Sequence, residues 1–233
     1  MIGSQVLDMH SHFLPNLDDG ARTIEESLQI ILGLVDLGID AFVATPHFYP
    51  GRYMPSDRQI EESLALVQAE MTKIGLKQKI VLGRECFLDV ELLTHSNHKN
   101  VSFQWNDNWY QLIELHHMAV HGAALEYGAY LQSQGIRPIL AHAERYRSTM
   151  LDPLSVDDYR SAGFIIQVDI RSFLPGAQKD LRKAAFSLLK KDRIDVIATD
   201  IHHSSQLKGL REAFALLKTE VGDEQWRTYF SLA

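Results

Sequence analysis

Short apolar segments alternate with amphipathic segments along almost the whole chain. Within the first amphipathic segment, Ile24, Leu28 and Ile31 recur at helical spacing. Thr23, followed three residues later by Glu26, predicts the start of that helix through a capping box. The apolar segments predict seven strands, over residues 6–9, 41–47, 80–86, 109–115, 137–144, 164–170 and 195–200.

This alternation predicts an α/β fold with a parallel sheet. Near-continuously apolar strands are typical of a parallel sheet that is covered by helices on both faces. At 233 residues, we expect the seven strand–helix units to close into a (β/α)7 barrel. A doubly wound open sheet is the alternative. Since no Pro/Gly/Ser-rich linker, repeat or low-complexity stretch interrupts the pattern, we expect a single domain over residues 1–233.

Composition narrows the classes of partner and mechanism. The net charge is −7 and no basic block occurs, so nucleic acid is not an expected partner. The N-terminus lacks the features of a signal peptide, and no apolar run approaches the roughly 20 residues that span a bilayer. We therefore expect a cytoplasmic protein without direct membrane insertion. Cys86 is the one cysteine in the sequence. A cysteine-dependent phosphatase needs an arginine six residues after its cysteine, and Leu92 occupies that position here, so the sequence does not support that mechanism.

His, Asp and Glu, the residue types that commonly bind metal ions, occur at the ends of six predicted strands. In a barrel of this type the C-terminal strand ends meet at one mouth, where the active site lies. His10 and His12 are two residues apart and can face one ion together, and Asp200 and His202 repeat this spacing. Imidazole combined with carboxylate suits Zn, Mn or Fe. A buried structural role is the alternative for each residue alone, whereas their joint occurrence indicates a metal site.

These segments resemble the polymerase and histidinol phosphatase (PHP) superfamily. The chain is most similar to the manganese-dependent protein-tyrosine phosphatases of bacterial capsule and exopolysaccharide operons. The matching segments, between residues 8 and 202, are DMHSHFLPNLDDG, ATPH, GRE, LIE, AHAER and TDIH, in that order. The resemblance implies a distorted, TIM-like (β/α)7 barrel of the PHP type.

The resemblance also implies three divalent cations, with manganese expected and iron or zinc as alternatives. The first ion would be held by His10, His12, Glu85 and Asp200, the second by Glu85, Glu114 and His142, and the third by Asp19, His47 and His202. Arg145 falls on a phosphate-binding arginine of the family and is expected to act in catalysis with Asp200 and His202. A second such arginine of the family falls on Leu207 by count, which leaves Lys208 and Arg211 as nearby candidates.

The implied reaction is hydrolysis of phosphotyrosine on a protein by a hydroxide that bridges the metal ions. The implied substrate is a bacterial tyrosine autokinase of polysaccharide export, and an oligomeric state is compatible with the resemblance. Arg52 and Tyr53, in the loop after His47, are further candidate substrate contacts, because Tyr53 could stack on the phosphotyrosine ring. The alternatives are a small-molecule phosphoesterase, such as histidinol phosphatase, and a non-catalytic, metal-bound regulatory scaffold.

Overall fold

The computed structural model describes residues 5–95, 97–118 and 121–232, and strands and helices alternate along them. The strands are β1 (Leu7–Ser11), β2 (Ala41–Ala44), β3 (His47–Phe48), β4 (Lys79–Leu82), β5 (Glu85–Phe87), β6 (Phe103–Trp105), β7 (Asn108–Glu114), β8 (Ile136–Leu140), β9 (Ile165–Asp169) and β10 (Val196–Ala198). The helices are α1 (Ile24–Asp36), α2 (Asp57–Lys73), α3 (Val90–Leu93), α4 (His121–Ser133), α5 (Arg147–Leu151), α6 (Val156–Ser161), α7 (Lys179–Lys190) and α8 (Leu207–Val221). Among these described residues, no helix is long and apolar enough to cross a membrane.

The strands form a curled parallel arrangement in which spatial neighbours follow the order of the chain. One sheet has the order β1-β2-β4, and the other has the order β10-β9-β8-β7-β5-β3. Every pairing is parallel except that of β6 with β7. A doubly wound sheet requires a reversal of strand order, and the described strands have none, so this alternative is wrong.

Two predicted strands are each divided into two short ones. The segment 41–47 is interrupted at Thr45 and Pro46, because proline has no N–H to donate to a sheet. The Thr45 side chain accepts a hydrogen bond from the Ser11 backbone N–H over 3.0 Å and so replaces part of the ladder. The segment 80–86 is also interrupted, at Gly83 and Arg84. Each interruption is followed by a strand that begins with a predicted metal ligand, His47 in β3 or Glu85 in β5.

The first and last parallel strands meet along a short seam. Ser11 and Ile201 form an isolated parallel bridge, and the backbone N–H of Asp200 donates to the carbonyl of His10 over 2.9 Å. The buried carboxylate of Asp8 accepts hydrogen bonds from the backbone N–H and the hydroxyl of Thr199, over 3.0 and 2.6 Å. The seam therefore relies on one buried side chain as well as on backbone pairing.

Apolar side chains cover both faces of the strands. In β2, Phe42 and Ala44 belong to the larger cluster, which packs against the helices, whereas Ala41 and Val43 belong to a smaller cluster with residues of β7, β8 and β10. Successive residues of a strand point to opposite faces, so the two clusters lie on opposite sides of the sheet. This two-sided burial explains the near-continuous apolar pattern of the strands.

Further differences from the predicted elements include the end of β8 and an additional strand, β6. β8 ends at Leu140 rather than at residue 144, because His142 adopts a left-handed backbone with φ of 33° and residues 143–145 form a short 3₁₀ turn. The strand β6 lies in a stretch that appears irregular in the sequence. Its hairpin to β7 turns at Asn106 and Asp107, which both have positive φ, as two-residue hairpin turns require.

Candidate metal centre

The predicted ligands converge at the carboxyl ends of the strands. Within the described residues, ligand atoms fall into three overlapping groups, and the atoms of each group lie within 4.8 Å of one another. The groups are His10, His12, Glu85 and Asp200; His12, Asp19, His47 and His202; and His47, Glu85 and Glu114. The first group is the set that the family resemblance implies for the first ion. The second group adds His12 to the set implied for the third ion.

His142 lies beside these groups rather than within one of them. Its Nε2 is 2.8 Å from Glu85 Oε1 and 3.9 Å from Glu114 Oε1. Burial and repulsion from Glu85 raise the pKa of Glu114 to about 7. A nearby cation would remove this repulsion, so His142 and the two carboxylates have the composition of a further metal site.

Glu85 is the centre of the arrangement. Its Oε2 lies 3.2 Å from His10 Nε2, 3.1 Å from His12 Nε2 and 3.1 Å from His47 Nδ1. The side chain is only 2% exposed, and burial alone would raise the pKa of its carboxyl group. The charges of His10 and His47 nevertheless hold the pKa of Glu85 well below its usual range. Glu85 is thus an ionised carboxylate that several imidazoles share.

The geometry of these contacts fits ligands of a cation better than hydrogen bonds. His10 Nε2 and His12 Nε2 are 3.2 Å apart, and both face Glu85. His47 Nδ1 and Asp19 Oδ1 are buried and have no hydrogen-bond partner among the described residues, although each lies close to an oppositely charged group. Buried polar atoms without such partners are rare. Atoms that point at a common space instead of at one another are arranged as metal ligands are.

Two side chains that the sequence analysis did not select orient the imidazoles. His12 Nδ1 lies 2.9 Å from Asp18 Oδ2, which also accepts a hydrogen bond from the backbone N–H of His47 over 3.0 Å. His10 Nδ1 lies 3.3 Å from Gln167 Oε1, which accepts a hydrogen bond from the backbone N–H of His142 over 2.7 Å. Such contacts leave Nε2 free for a metal ion and fix the orientation of the ring. A glutamine within the apolar segment FIIQVDI is a signal that could have identified Gln167.

Two predicted ligands have a strained backbone. Asp200 has φ of 46° and His142 has φ of 33°, and both side chains are buried. Left-handed conformations are uncommon for all residues other than glycine, although Asn, Asp and His adopt them more often than the rest, and they accumulate at functional sites. In both cases the left-handed residue follows the end of a strand and turns the chain at the mouth of the sheet.

Two arginines and two aspartates form a charged network beside the centre. Arg145 Nη2 lies 2.6 Å from Asp200 Oδ2 and 2.5 Å from Asp169 Oδ2. Arg171 Nη2 lies 2.8 Å from the same Asp169 oxygen and donates to the backbone carbonyl of Asp200 over 2.8 Å. Asp169 ends β9 and was missed as a site residue, although it stands at the end of an apolar strand as several predicted ligands do. Arg145, Asp169 and Arg171 line one side of a cavity of about 600 Å³.

The structure places the other candidate substrate contacts in two regions. The ring of Tyr53 stacks on His47 with centroids 5.6 Å apart, and Arg52 lies over Tyr53 and 4.0 Å from Asp19 Oδ2. This loop therefore borders the centre. Lys208 and Arg211 lie on α8, where Arg211 Nη2 is 3.6 Å from a carboxylate at the end of α1, that of Asp36.

Cys86 has none of the features of a nucleophile. It is fully buried, and burial raises the pKa of its thiol to about 12. Reactive cysteines instead have a lowered pKa and access to solvent. The cysteine-dependent mechanism, which the sequence already disfavours, thus has no support in the structure.

Comparisons with known proteins point to one family. The family model described as capsular polysaccharide synthesis, CpsB/CapC, matches residues 6–232. Tyrosine-protein phosphatase YwqE of Bacillus subtilis is 27% identical over 222 residues, which cover 94% of this chain and 86% of that protein. Tyrosine-protein phosphatase CpsB of Streptococcus pneumoniae is 24% identical over 234 residues, which cover 97% and 95%.

A solved structure agrees with these relatives. The crystal structure described as YwqE from Bacillus subtilis and CpsB from Streptococcus pneumoniae, unique metal-dependent tyrosine phosphatases, is similar to this chain with a TM-score of 0.82. The match has 27% sequence identity and covers 94% of this chain and 88% of the other. Sequence and structure comparisons therefore select the same group of proteins.

Proposed function

The chain belongs to the CpsB/CapC family of capsular polysaccharide synthesis proteins, and on this premise we propose that it is a metal-dependent phosphatase that hydrolyses phosphotyrosine on proteins. The observation that carries the proposal is the first ligand group, in which four buried side chains in or just after β1, β5 and β10 surround one space. The names of the relatives, tyrosine-protein phosphatase, and the similar structure described as metal-dependent support the same reaction.

The proposed cofactor is a set of three divalent ions, with manganese expected and iron or zinc as alternatives. The ligands proposed are those of the three sets that the family resemblance implies. When bound, such ions lower the pKa of water and stabilise negative charge on phosphoryl oxygens. His202 suits this role because burial and the neighbouring His12 lower its pKa to about 4, and a neutral imidazole is the form that binds metal.

The proposed substrate is the phosphorylated tyrosine of a protein, and a tyrosine autokinase of polysaccharide export is the specific partner suggested by the family.

The finer architecture that we propose is one domain over residues 1–233, in which β1 and β10 close a distorted (β/α)7 barrel. The bridge between Ser11 and Ile201 and the sequential strand order support this closure. The cytoplasmic location and the oligomeric state stay predictions from the sequence.

We propose that Arg145 and Arg171 together bind the phosphate. Both guanidinium groups reach Asp200, a proposed metal ligand, and both line the adjacent cavity. A guanidinium can bind two phosphate oxygens at once, which a lysine cannot do. Arg171 would thereby take the role that the sequence analysis left to Lys208 or Arg211.

Arg171→Ala is expected to lower kcat/KM for a tyrosine phosphopeptide by about 30-fold, because a charged hydrogen bond to phosphate contributes about 2 kcal/mol. Lys208→Ala and Arg211→Ala are expected to change it by less than about threefold. The comparison is made by steady-state kinetics with each variant carrying the same metal content. If kcat/KM fell further in Lys208→Ala or Arg211→Ala than in Arg171→Ala, phosphate binding would be assigned to α8 instead.

The proposed function is tested by removing metal with a chelator and returning Mn²⁺, Fe²⁺ or Zn²⁺ separately. We expect phosphate release from a tyrosine phosphopeptide only after metal is returned, and loss of this release in His202→Ala. Histidinol phosphate, assayed alongside, is expected to be hydrolysed at least about 100-fold more slowly, a difference of about 2.7 kcal/mol in transition-state binding. Faster hydrolysis of histidinol phosphate than of the phosphopeptide would indicate a small-molecule phosphatase instead. Absence of turnover with all ions bound would favour the scaffold.

A further inference from the structure

A groove of about 830 Å³ runs along the outer side of α7 and contains a concentration of positive charge. Its basic lining residues are Lys179, Arg182, Lys183, Lys190 and Lys191. Glu220, from α8, is the one carboxylate among the residues that line it. The whole chain carries a net charge of −7, so this local excess of positive charge opposes the overall balance.

The lysines of the groove are available to a ligand. Lys179, Lys183 and Lys190 are exposed, and none of them forms an ion pair within the described residues. Arg182 differs, because it donates to the Phe173 carbonyl over 3.0 Å and lies 4.8 Å above the ring of Phe186. Arg182 is thus fixed at the base of the groove, whereas the lysines extend from its walls.

The groove continues toward the candidate metal centre. Pro175 and Ala177 line both this groove and the cavity that contains Arg145 and Arg171. A polypeptide whose phosphate lies at these arginines could therefore continue past Pro175 onto α7. The helix has 12 residues and is about 18 Å long at 1.5 Å per residue. An extended peptide covers that distance with about five or six residues.

We propose that this groove binds an acidic segment of the substrate polypeptide adjacent to the phosphotyrosine. This inference rests on the proposed phosphatase function and names a determinant of its substrate choice. Glutamate or aspartate side chains would pair with the exposed lysines, and Phe186 with Pro175 would contact an aromatic or apolar residue between them. A short peptide suits the groove better than a long polyanion, because the negative charge of the remaining surface repels nucleic acid and anionic membranes.

The test compares two phosphotyrosine peptides that differ only in their flanking residues, acidic in one and Asn/Gln in the other. The double variant Lys183→Glu/Lys190→Glu is compared with Lys73→Glu/Lys77→Glu, which makes the same charge change at exposed positions at the end of α2 and just after it. We expect kcat/KM of the natural protein to be about tenfold higher for the acidic peptide, because two or three exposed ion pairs together give a preference of this size. The preference should shrink at high salt, disappear in the α7 variant and persist in the α2 variant.

Two additional measurements separate this inference from the proposed function. Hydrolysis of p-nitrophenyl phosphate, which cannot reach the groove, should be equal in all three proteins. Binding of a fluorescent, unphosphorylated acidic peptide is followed by anisotropy and needs no turnover. Absence of hydrolysis with preserved lysine-dependent binding would contradict only the phosphatase function. Equal rates for both peptides, an unchanged preference in the α7 variant, or tighter binding of RNA or anionic vesicles than of the peptide would overturn the groove assignment.

Discussion

Replacing Glu85 by glutamine is expected to lower phosphotyrosine hydrolysis by at least about a thousandfold, because several kcal/mol of metal-dependent stabilisation would be lost. Glu85 contacts four of the histidines proposed as ligands, namely His10, His12, His47 and His142. Glutamine has nearly the same shape but cannot supply the negative charge that these imidazoles and the bound cations share. The substitution therefore affects all three ligand sets through one residue.

The measurement combines steady-state kinetics with the number of metal ions bound per chain. Glu85→Gln should bind fewer ions than the natural protein, and additional metal should not restore the rate. Glu144→Gln is a matched control, since Glu144 is also fully buried beside the site but accepts hydrogen bonds from Ser172 and the Asp169 backbone. It should keep its full metal content. A Glu85→Gln protein with normal metal content and normal turnover would remove Glu85 from its central role.

Gly20→Ala is expected to disturb the metal centre and to destabilise the fold by about 1–3 kcal/mol, as overpacking in a tight interior does. A Cβ atom at this position would lie 2.1 Å from the His12 carbonyl oxygen and 2.9 Å from Asp18 Oδ1. The backbone N–H of Gly20 also donates to Asp18 Oδ1 over 2.9 Å. Because Asp18 orients the His12 ring, the displaced turn should also lower metal affinity by about 10- to 100-fold.

Urea unfolding and metal titration of the same preparation test both parts of this expectation. Gly122→Ala is the control, because a Cβ atom there would have no heavy atom within 4 Å. Its free energy of unfolding should stay within about 0.5 kcal/mol of the natural value. Natural metal affinity in Gly20→Ala would show that the turn and the His12 ring are independent.

The parts of the fold that depend on local signals agree with the sequence prediction. The first helix begins after Thr23, whose side chain accepts a hydrogen bond from the Glu26 backbone N–H, which is one half of the predicted capping box. The Glu26 carboxylate accepts from the backbone N–H of Arg22 rather than from that of Thr23. The positions of the strands were visible because both faces of the sheet are apolar. The interruptions at Thr45–Pro46 and Gly83–Arg84 were missed, although Pro46 and Gly83 are residue types that disfavour the interior of a strand.

The candidate ligands were also visible, because most of them lie near the carboxyl end of a predicted strand and all parallel strands end at the same side of the sheet. Asp18, Gln167 and Arg171 were missed for a different reason. Gln167 contacts His10, which lies 157 residues earlier, and Arg171 contacts Asp200, which lies 29 residues later. Asp18 contacts His12 within the same loop, but it also holds the backbone of His47, 29 residues later. Such roles depend on which strands are neighbours, and the pattern of a single segment does not contain this information.

The seam between the first and last parallel strands has a consequence for how the protein is made. Asp8 and Thr199, which join across it, are 191 residues apart in the sequence. His10 and His12 therefore emerge from the ribosome long before Asp200, which follows the final strand. Contacts between residues this far apart in the sequence form late, and they make folding slower. His10 and His12 are thus without Asp200 until the last parallel strand has been synthesised, so the first ligand group is completed only at that stage of synthesis.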